Sequence, residues 1–356
     1  MKVLNHHSTH TTGAICMHCT TSTTNRQYLD IDPADILADT TRGGRVVPWA
    51  SHKLASSALS VVVEDVDAAQ GWRMRHCADR LTFAREDDGH LALKRASFCR
   101  IRLCPMCQWR RSLKLGGQVR AVIDHLAASR AQQGRKPYAY LLLTLTIPNC
   151  PGDRLGATLD ALQAGWQRMQ RRKEFKAAVQ GSVRCVEITY NRTSDTYHPH
   201  IHALLAVLPS YLTGRTYLTR AKWLALWRDC MRNPTITQID IRRTTGDAAA
   251  VAEVAKYATK STDMLRPGEG QRNVACVATL MAACRKRRFA GWAGVMRTAH
   301  QALHLDDVED GDLIHTSDAA TDSPEAPAWS WDWYVGPRLY IAAQKGAHNA
   351  ISAPWR

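Results

Sequence analysis

The chain has 356 residues, 45% of them hydrophobic, and a formal charge of +15 from 47 Lys and Arg against 32 Asp and Glu. That is enough apolar material for one main domain with a smaller module beside it, and the charge favours a polyanionic partner, nucleic acid first. No apolar run approaches the roughly 18 residues that span a bilayer, and the amino terminus lacks the apolar core of a signal peptide, so a cytoplasmic protein without a membrane partner is expected, in which the 11 Cys read better as metal ligands than as disulfides.

In chain order, residues 1–70 are rich in Thr, Ser, Asp and His without sustained periodicity, which predicts a loose polar leader. Cys16 and Cys19 flank His18 there, but no second ligand pair lies nearby, so a chance or weak metal contact is the plainer reading. From 71 to 116 the texture changes: Cys77, Cys99, Cys104 and Cys107 stand among many arginines. Four thiolates close a tetrahedral zinc site, and Cys104-Pro-Met-Cys107 offers two sulfurs to one ion. His76 is an alternative ligand, and four buried apolar cysteines are the bland alternative. A site with four protein ligands has no open position, so it would staple a small basic module. Arg110, Arg111 and Lys114, just beyond it, are expected to face phosphates.

Residues 116–134 read as a helix, and Tyr138 to Ile147 as a buried central strand with Thr144 and Thr146 on one face, within reach of a phosphate. A basic amphipathic helix around Trp166, Arg168 and Arg172 follows. Residues 183–190 and 198–207 then flank the turn-rich stretch 191–196, which predicts an antiparallel hairpin. Alternate side chains of a strand share a face, so His198, His200 and His202 point one way, and Glu187 on the neighbouring strand joins them. Imidazoles and a carboxylate with open positions suit a catalytic divalent ion; a solvated polar face is the alternative. His198 is a third ligand or an outer partner, and Asp195 is a weaker candidate carboxylate.

Residues 247–260 carry strong helix formers after a capping Asp247. Glu253, Tyr257 and Lys260 then share one face, with Lys256 beside them. A phenol is a poor nucleophile unless cationic neighbours or a metal favour its anion, which the two lysines would do. An exposed Glu–Lys network explains the same residues. Further on, 285–288 with Phe289 and Trp292 suggests a DNA-contacting patch or a solvated basic turn. The acidic run from His304 to Pro327 looks like a surface loop or linker, and Trp329, Trp331 and Trp333 alternate like a strand that caps the core.

These motifs, in this order, resemble the HUH endonuclease superfamily, and in particular the single-tyrosine replication initiators of rolling-circle plasmids. The likeness runs over residues 72–315, through FCRIRLCPMCQWRRSLK, LLLTLTIPN, EITYNRTSDTYHPHIHALLAV and EVAKYATKSTD. It implies an α+β fold: a central antiparallel sheet bearing the histidine hairpin, helices on its other face including the tyrosine helix, and a zinc-stapled basic module in front. The expected division is a Cys-rich module at 71–116, a catalytic domain at 117–315 and a Trp-rich extension at 316–356. The resemblance further implies a strand-specific nickase of a plasmid origin in a bacterial cytoplasm. His200 and His202 would hold Mg or Mn with Glu187, Tyr257 would form a 5′-phosphotyrosine link, and Glu253 would activate water for a terminating hydrolysis. Single-stranded origin DNA is the implied substrate, with host helicase and polymerase as partners. Three rivals stand: a single-strand transposase of the same superfamily, a relaxase whose tyrosine would normally precede the histidines, and a non-catalytic zinc-dependent DNA-binding regulator.

Overall fold

The computed structural model describes residues 31–38, 44, 47–85, 91–256, 261–316 and 328–343. Two antiparallel sheets organise them. The larger has five strands in the order β6-β3-β5-β4-β7, and the smaller has four in the order β2-β1-β8-β9. Among the described residues no helix is long and apolar enough to cross a membrane.

Part of the expected leader is folded. Residues 49–66 form helix α1 (Trp49–Val66), followed by α2 (Ala68–Arg75), whose N-cap Asp67 accepts from the Gln70 amide at 3.0 Å. The inner face of α1 buries Trp49, Leu59 and Val63 but mixes them with two serines and a lysine, which blurs the apolar periodicity. Ser56, Ser60 and Lys53 are all fully buried, and Lys53 Nζ donates to the carbonyls of Arg75 at 2.6 Å and Cys77 at 2.9 Å. A buried ammonium with its donors satisfied is thus tolerated within the apolar face.

Strands β1 (Arg80–Arg85) and β2 (Leu91–Ala96) make a hairpin that β8 (Ala328–Tyr334) extends, setting Trp331 opposite Leu81 and Trp329 opposite Phe83. Strand β9 (Leu339–Ala342) closes the edge. Trp331 and Trp333 pack on the core, as the alternation predicts, whereas Trp329 at the start of the strand is exposed; the Trp-rich segment and the cysteine module share one sheet.

Helix α3 (Pro105–Gln132) starts eleven residues before the periodicity suggests. Pro105 at its first turn lacks the amide that would be unsatisfied there, which turns Cys104-Pro-Met-Cys107 into a helix start rather than a free turn. Strand β3 (Ala139–Leu145) then enters the large sheet between β5 (Thr196–Val207) and β6 (Ile239–Thr244). Strand β4 (Val179–Asn191) pairs with β5, and Asn191 Oδ1 closes the hairpin by accepting from the amides of Thr193 at 3.0 Å and Ser194 at 3.2 Å. Residues Ile201 to Val207 are buried without a break, the pattern of a strand covered on both faces.

Helices α4 (Leu155–Arg171), α5 (Lys173–Ala178), α6 (Arg220–Met231), α8 (Ser261–Met264) and α9 (Gly270–Cys284) complete one part of the cover. Helix α7 (Ala248–Val254) packs against β5, β4 and α3, while α10 (Gly294–Ala302) packs against β4 and α3. Edge strand β7 (Ala290–Ala293) turns into α10 at Gly294, whose φ of +56° and 2.1 Å from a built Cβ to the Gln180 carbonyl oxygen admit no side chain. Helix α7 ends at Val254, shorter than the 247–260 span expected.

The acidic run after His304 is no free linker over its described part. Val308, Glu309 and Leu313 are buried, and the run lies along α3. The basic stretch before it is tied down likewise: Arg287 pairs with Asp160 at 2.7 Å, Arg288 pairs with Asp307, and Phe289 is fully buried.

Candidate functional site: two converging donor clusters

Pairing β4 with β5 sets Glu187 directly opposite His200 and Cys185 opposite His202. Directly opposed residues share a face, and so do residues two apart, which brings Glu187, His200 and His202 to one patch. There the Nε2 atoms of both rings lie 3.1 Å from the same oxygen, Oε2 of Glu187. An octahedral cation with ligands at about 2.1 Å holds neighbouring donors about 3.0 Å apart, so the spacing fits an ion among them. Burial opposes ionisation of Glu187, but hydrogen bonds and charge from His200 and His202 outweigh it and hold the carboxyl well below the usual range. Glu187 is therefore an ionised carboxylate in a largely dry place, and with the two imidazoles it makes a set of three donors of the kind that can hold a metal ion.

His198 contributes differently. Its carbonyl lies 3.2 Å from His200 Nδ1, while its own ring is tilted 5.4 Å from the His200 ring and stands outside the three converging donors. Burial and the neighbouring His200 lower its pKa. Asp195 is also elsewhere, in the hairpin turn, where it accepts from the Tyr190 hydroxyl.

Helix α7 lies on the histidine face, not on the opposite face as expected, because Glu253 Oε1 is 3.5 Å from His202 Nδ1. Lys256 Nζ holds the other carboxylate oxygen of Glu253 at 2.7 Å. Tyr257 and Lys260 lie outside the described residues. Thr144, singled out from the sequence for a phosphate, instead sets its hydroxyl 3.2 Å from His202 Nδ1, while Thr146 donates to the Gln238 carbonyl at 2.9 Å.

The second cluster joins Cys77, Cys99, Cys104 and Cys107, all buried, with their sulfurs within 4.8 Å of one another. Cys107 Sγ is 3.6 Å from both Cys77 Sγ and Cys99 Sγ. A tetrahedral zinc with bonds of about 2.3 Å spaces its sulfurs about 3.8 Å apart, which these distances approach. Burial pushes the Cys77 and Cys99 thiols well up, and at Cys104 hydrogen bonds from the other thiols and Ser56 outweigh burial and favour the thiolate. His76 is turned away, its Nδ1 2.7 Å from Asp79. Ser56, 3.4 Å from Cys104 Sγ and accepting from the Met106 amide at 3.1 Å, belongs to this site with no signal in its leader sequence. Cys16, His18 and Cys19 lie outside the described residues.

Arg110, Arg111 and Lys114 do not face solvent, contrary to expectation. They are 5%, 4% and 2% exposed. Arg110 donates to the carbonyls of Leu313 at 2.9 Å and Ile314 at 2.5 Å, Arg111 to that of Arg100 at 2.8 Å, and Lys114 to the Asp306 carboxylate. The 306–314 segment satisfies Arg110 and Lys114, and the loop before α3 satisfies Arg111; the physical reason is the long helix: α3 runs inward from the cysteine cluster, so its basic face is an interior one.

The large sheet and its histidine patch fall within the stretch 90–341, which matches the model of the replication protein family, Rep_1. The chain is 33% identical over 319 residues to a protein rep of Streptococcus pneumoniae serotype 2, covering 87% of this chain and 97% of that protein. It is 32% identical over 346 residues to a protein rep of Bacillus amyloliquefaciens, covering 88% and 99%, and 35% identical over 267 residues to one from a Bacillus species, covering 69% and 85%. No solved structure matches. These matches span most of the chain, and it belongs to the replication protein (Rep) family.

Proposed function

We propose that this protein initiates rolling-circle replication of a plasmid by nicking one strand of the origin, as a single-tyrosine HUH endonuclease. The observation that carries the reading is the convergence of His200 and His202 on Glu187 beside a helix that bears Glu253, in a chain of the Rep family. Glu187, His200 and His202 would hold Mg or Mn, which when bound would polarise the scissile phosphate and stabilise charge on its oxygens.

In this mechanism the Tyr257 oxygen attacks the phosphorus in line, a P–O bond forms, and the bond to the 3′ oxygen breaks. The departing oxygen takes a proton and becomes the 3′ hydroxyl that primes synthesis, while the 5′ phosphate stays on Tyr257. Lys256 and Lys260 favour the phenolate electrostatically, and Glu253 is the carboxylate available to take a proton from water in the terminating hydrolysis. Cys77, Cys99, Cys104 and Cys107 would hold a structural zinc that closes the small module. Single-stranded origin DNA is the substrate on this reading, with host helicase and polymerase acting after the nick.

The test is a denaturing gel of protein incubated with Mn and a labelled single-stranded oligonucleotide from the origin. A covalent adduct with the 5′ fragment is expected for the wild type and absent for Tyr257→Phe and His200→Ala. Adduct formation undiminished in Tyr257→Phe would end the proposal.

A further inference from the structure

Each imidazole of the patch has a second nitrogen, and its partner decides what the first can do. His200 Nδ1 lies 3.2 Å from the His198 carbonyl. A carbonyl only accepts, so with an ion among the three donors that ring carries its proton on Nδ1 and gives the ion its Nε2 lone pair. On His202 the same nitrogen faces Glu253 Oε1 at 3.5 Å and the Thr144 hydroxyl at 3.2 Å. A carboxylate also only accepts, and Lys256 holds it in place through its second oxygen at 2.7 Å. Buried Val251 and Val254 fix the helix that carries it.

We infer that Glu253 is a positioning residue for His202: with help from Thr144 it accepts the Nδ1 proton and turns the Nε2 lone pair toward the point shared by Glu187 and His200. The inference rests on the ion site proposed above and adds a role that activation of water does not contain. A group acting only on water leaves metal affinity alone. A group that sets the tautomer of a ligand changes it, because without the acceptor His202 spends time with its proton on Nε2, aimed at the ion. Glu253 stands four residues before Tyr257, so one carboxylate links the ion to the segment that brings the nucleophile.

The experiment is a Mn titration of the full chain without DNA, with free Mn read by EPR. Glu253→Ala is expected to bind Mn about 10- to 100-fold more weakly. Glu253→Gln, which keeps a neutral acceptor, is expected to fall between it and wild type, and Thr144→Val to lose a smaller factor. Affinity within about twofold of wild type in Glu253→Ala overturns the inference alone. A wild type that binds no Mn brings down the ion site and this inference together.

Discussion

The two donor clusters are built from similar raw material and differ in what surrounds them. Four sulfurs from three separate stretches close on one another at 3.6 Å contacts, leaving no position free. Three donors from two neighbouring strands meet at 3.1 Å with Glu253 and Thr144 behind them and positions left over. A closed set can only hold structure together, whereas an open one can take substrate oxygens. Helix α3 connects the two. It starts at Pro105, with Cys104 as its N-cap, and about three turns on lets α7 approach at Gly116, where a built Cβ meets Val251 at 3.7 Å and Ala255 at 3.8 Å.

The largest effect that tests this contrast comes from the closed cluster. Structural zinc sites carry on the order of 10 kcal/mol of apparent binding free energy that doubles as folding free energy. Cys104→Ser is therefore expected to lose bound zinc by elemental analysis and to melt far below the wild type in calorimetry, while His200→Ala melts within a few degrees of it. Zinc content unchanged in Cys104→Ser, or a collapse in His200→Ala equal to that of Cys104→Ser, would break the division into closed and open.

A middle-sized effect concerns the cations that follow the cysteines. Lys114 is buried and held by Asp306. Lys114→Met is expected to cost about 1–3 kcal/mol in chemical unfolding, because the acceptors on the 306–314 segment lose their partner. The salt dependence of DNA binding should stay as in wild type, since a phosphate contact would take about one unit off the slope. A reduced slope with unchanged stability would return Lys114 to the DNA.

The smallest effect sharpens the link between the clusters. Gly116→Ala is expected to raise stability by about 0.5–1 kcal/mol, since the methyl meets ordinary contact distances and a helix-interior glycine is replaced. Gly116→Leu is expected to push α7 away and weaken Mn binding as Glu253→Ala does. Equal Mn affinity for Gly116→Leu and wild type would show that α3 does not position α7.

Much of the fold was readable in the chain because local patterns carried it. The hairpin of β4 and β5 announces itself through two apolar runs around a turn-rich stretch, and the alternation of strand side chains then puts His200, His202 and Glu187 together. The Trp strand was visible for the same reason. The readings that failed shared one cause, that burial is a property of the partner and not of the residue. Arg110, Arg111 and Lys114 look like a phosphate surface until the 306–314 segment takes up Arg110 and Lys114 and the carbonyl of Arg100 takes up Arg111. Helix α1 looks like leader because Lys53, Ser56 and Ser60 interrupt the apolar face that Trp49, Leu59 and Val63 bury.

By itself the amino-acid sequence determined the sheet-forming runs, the types of donor atom and their order, because these follow from side-chain chemistry and from the two-residue period of a strand. Only the tertiary structure decided the strand order, the return of Trp331 to Leu81 across some 250 residues, the face on which α7 lies and the acceptor behind His202. Each of these is a contact between segments far apart in the chain, and its energy exists only once both segments are already in place.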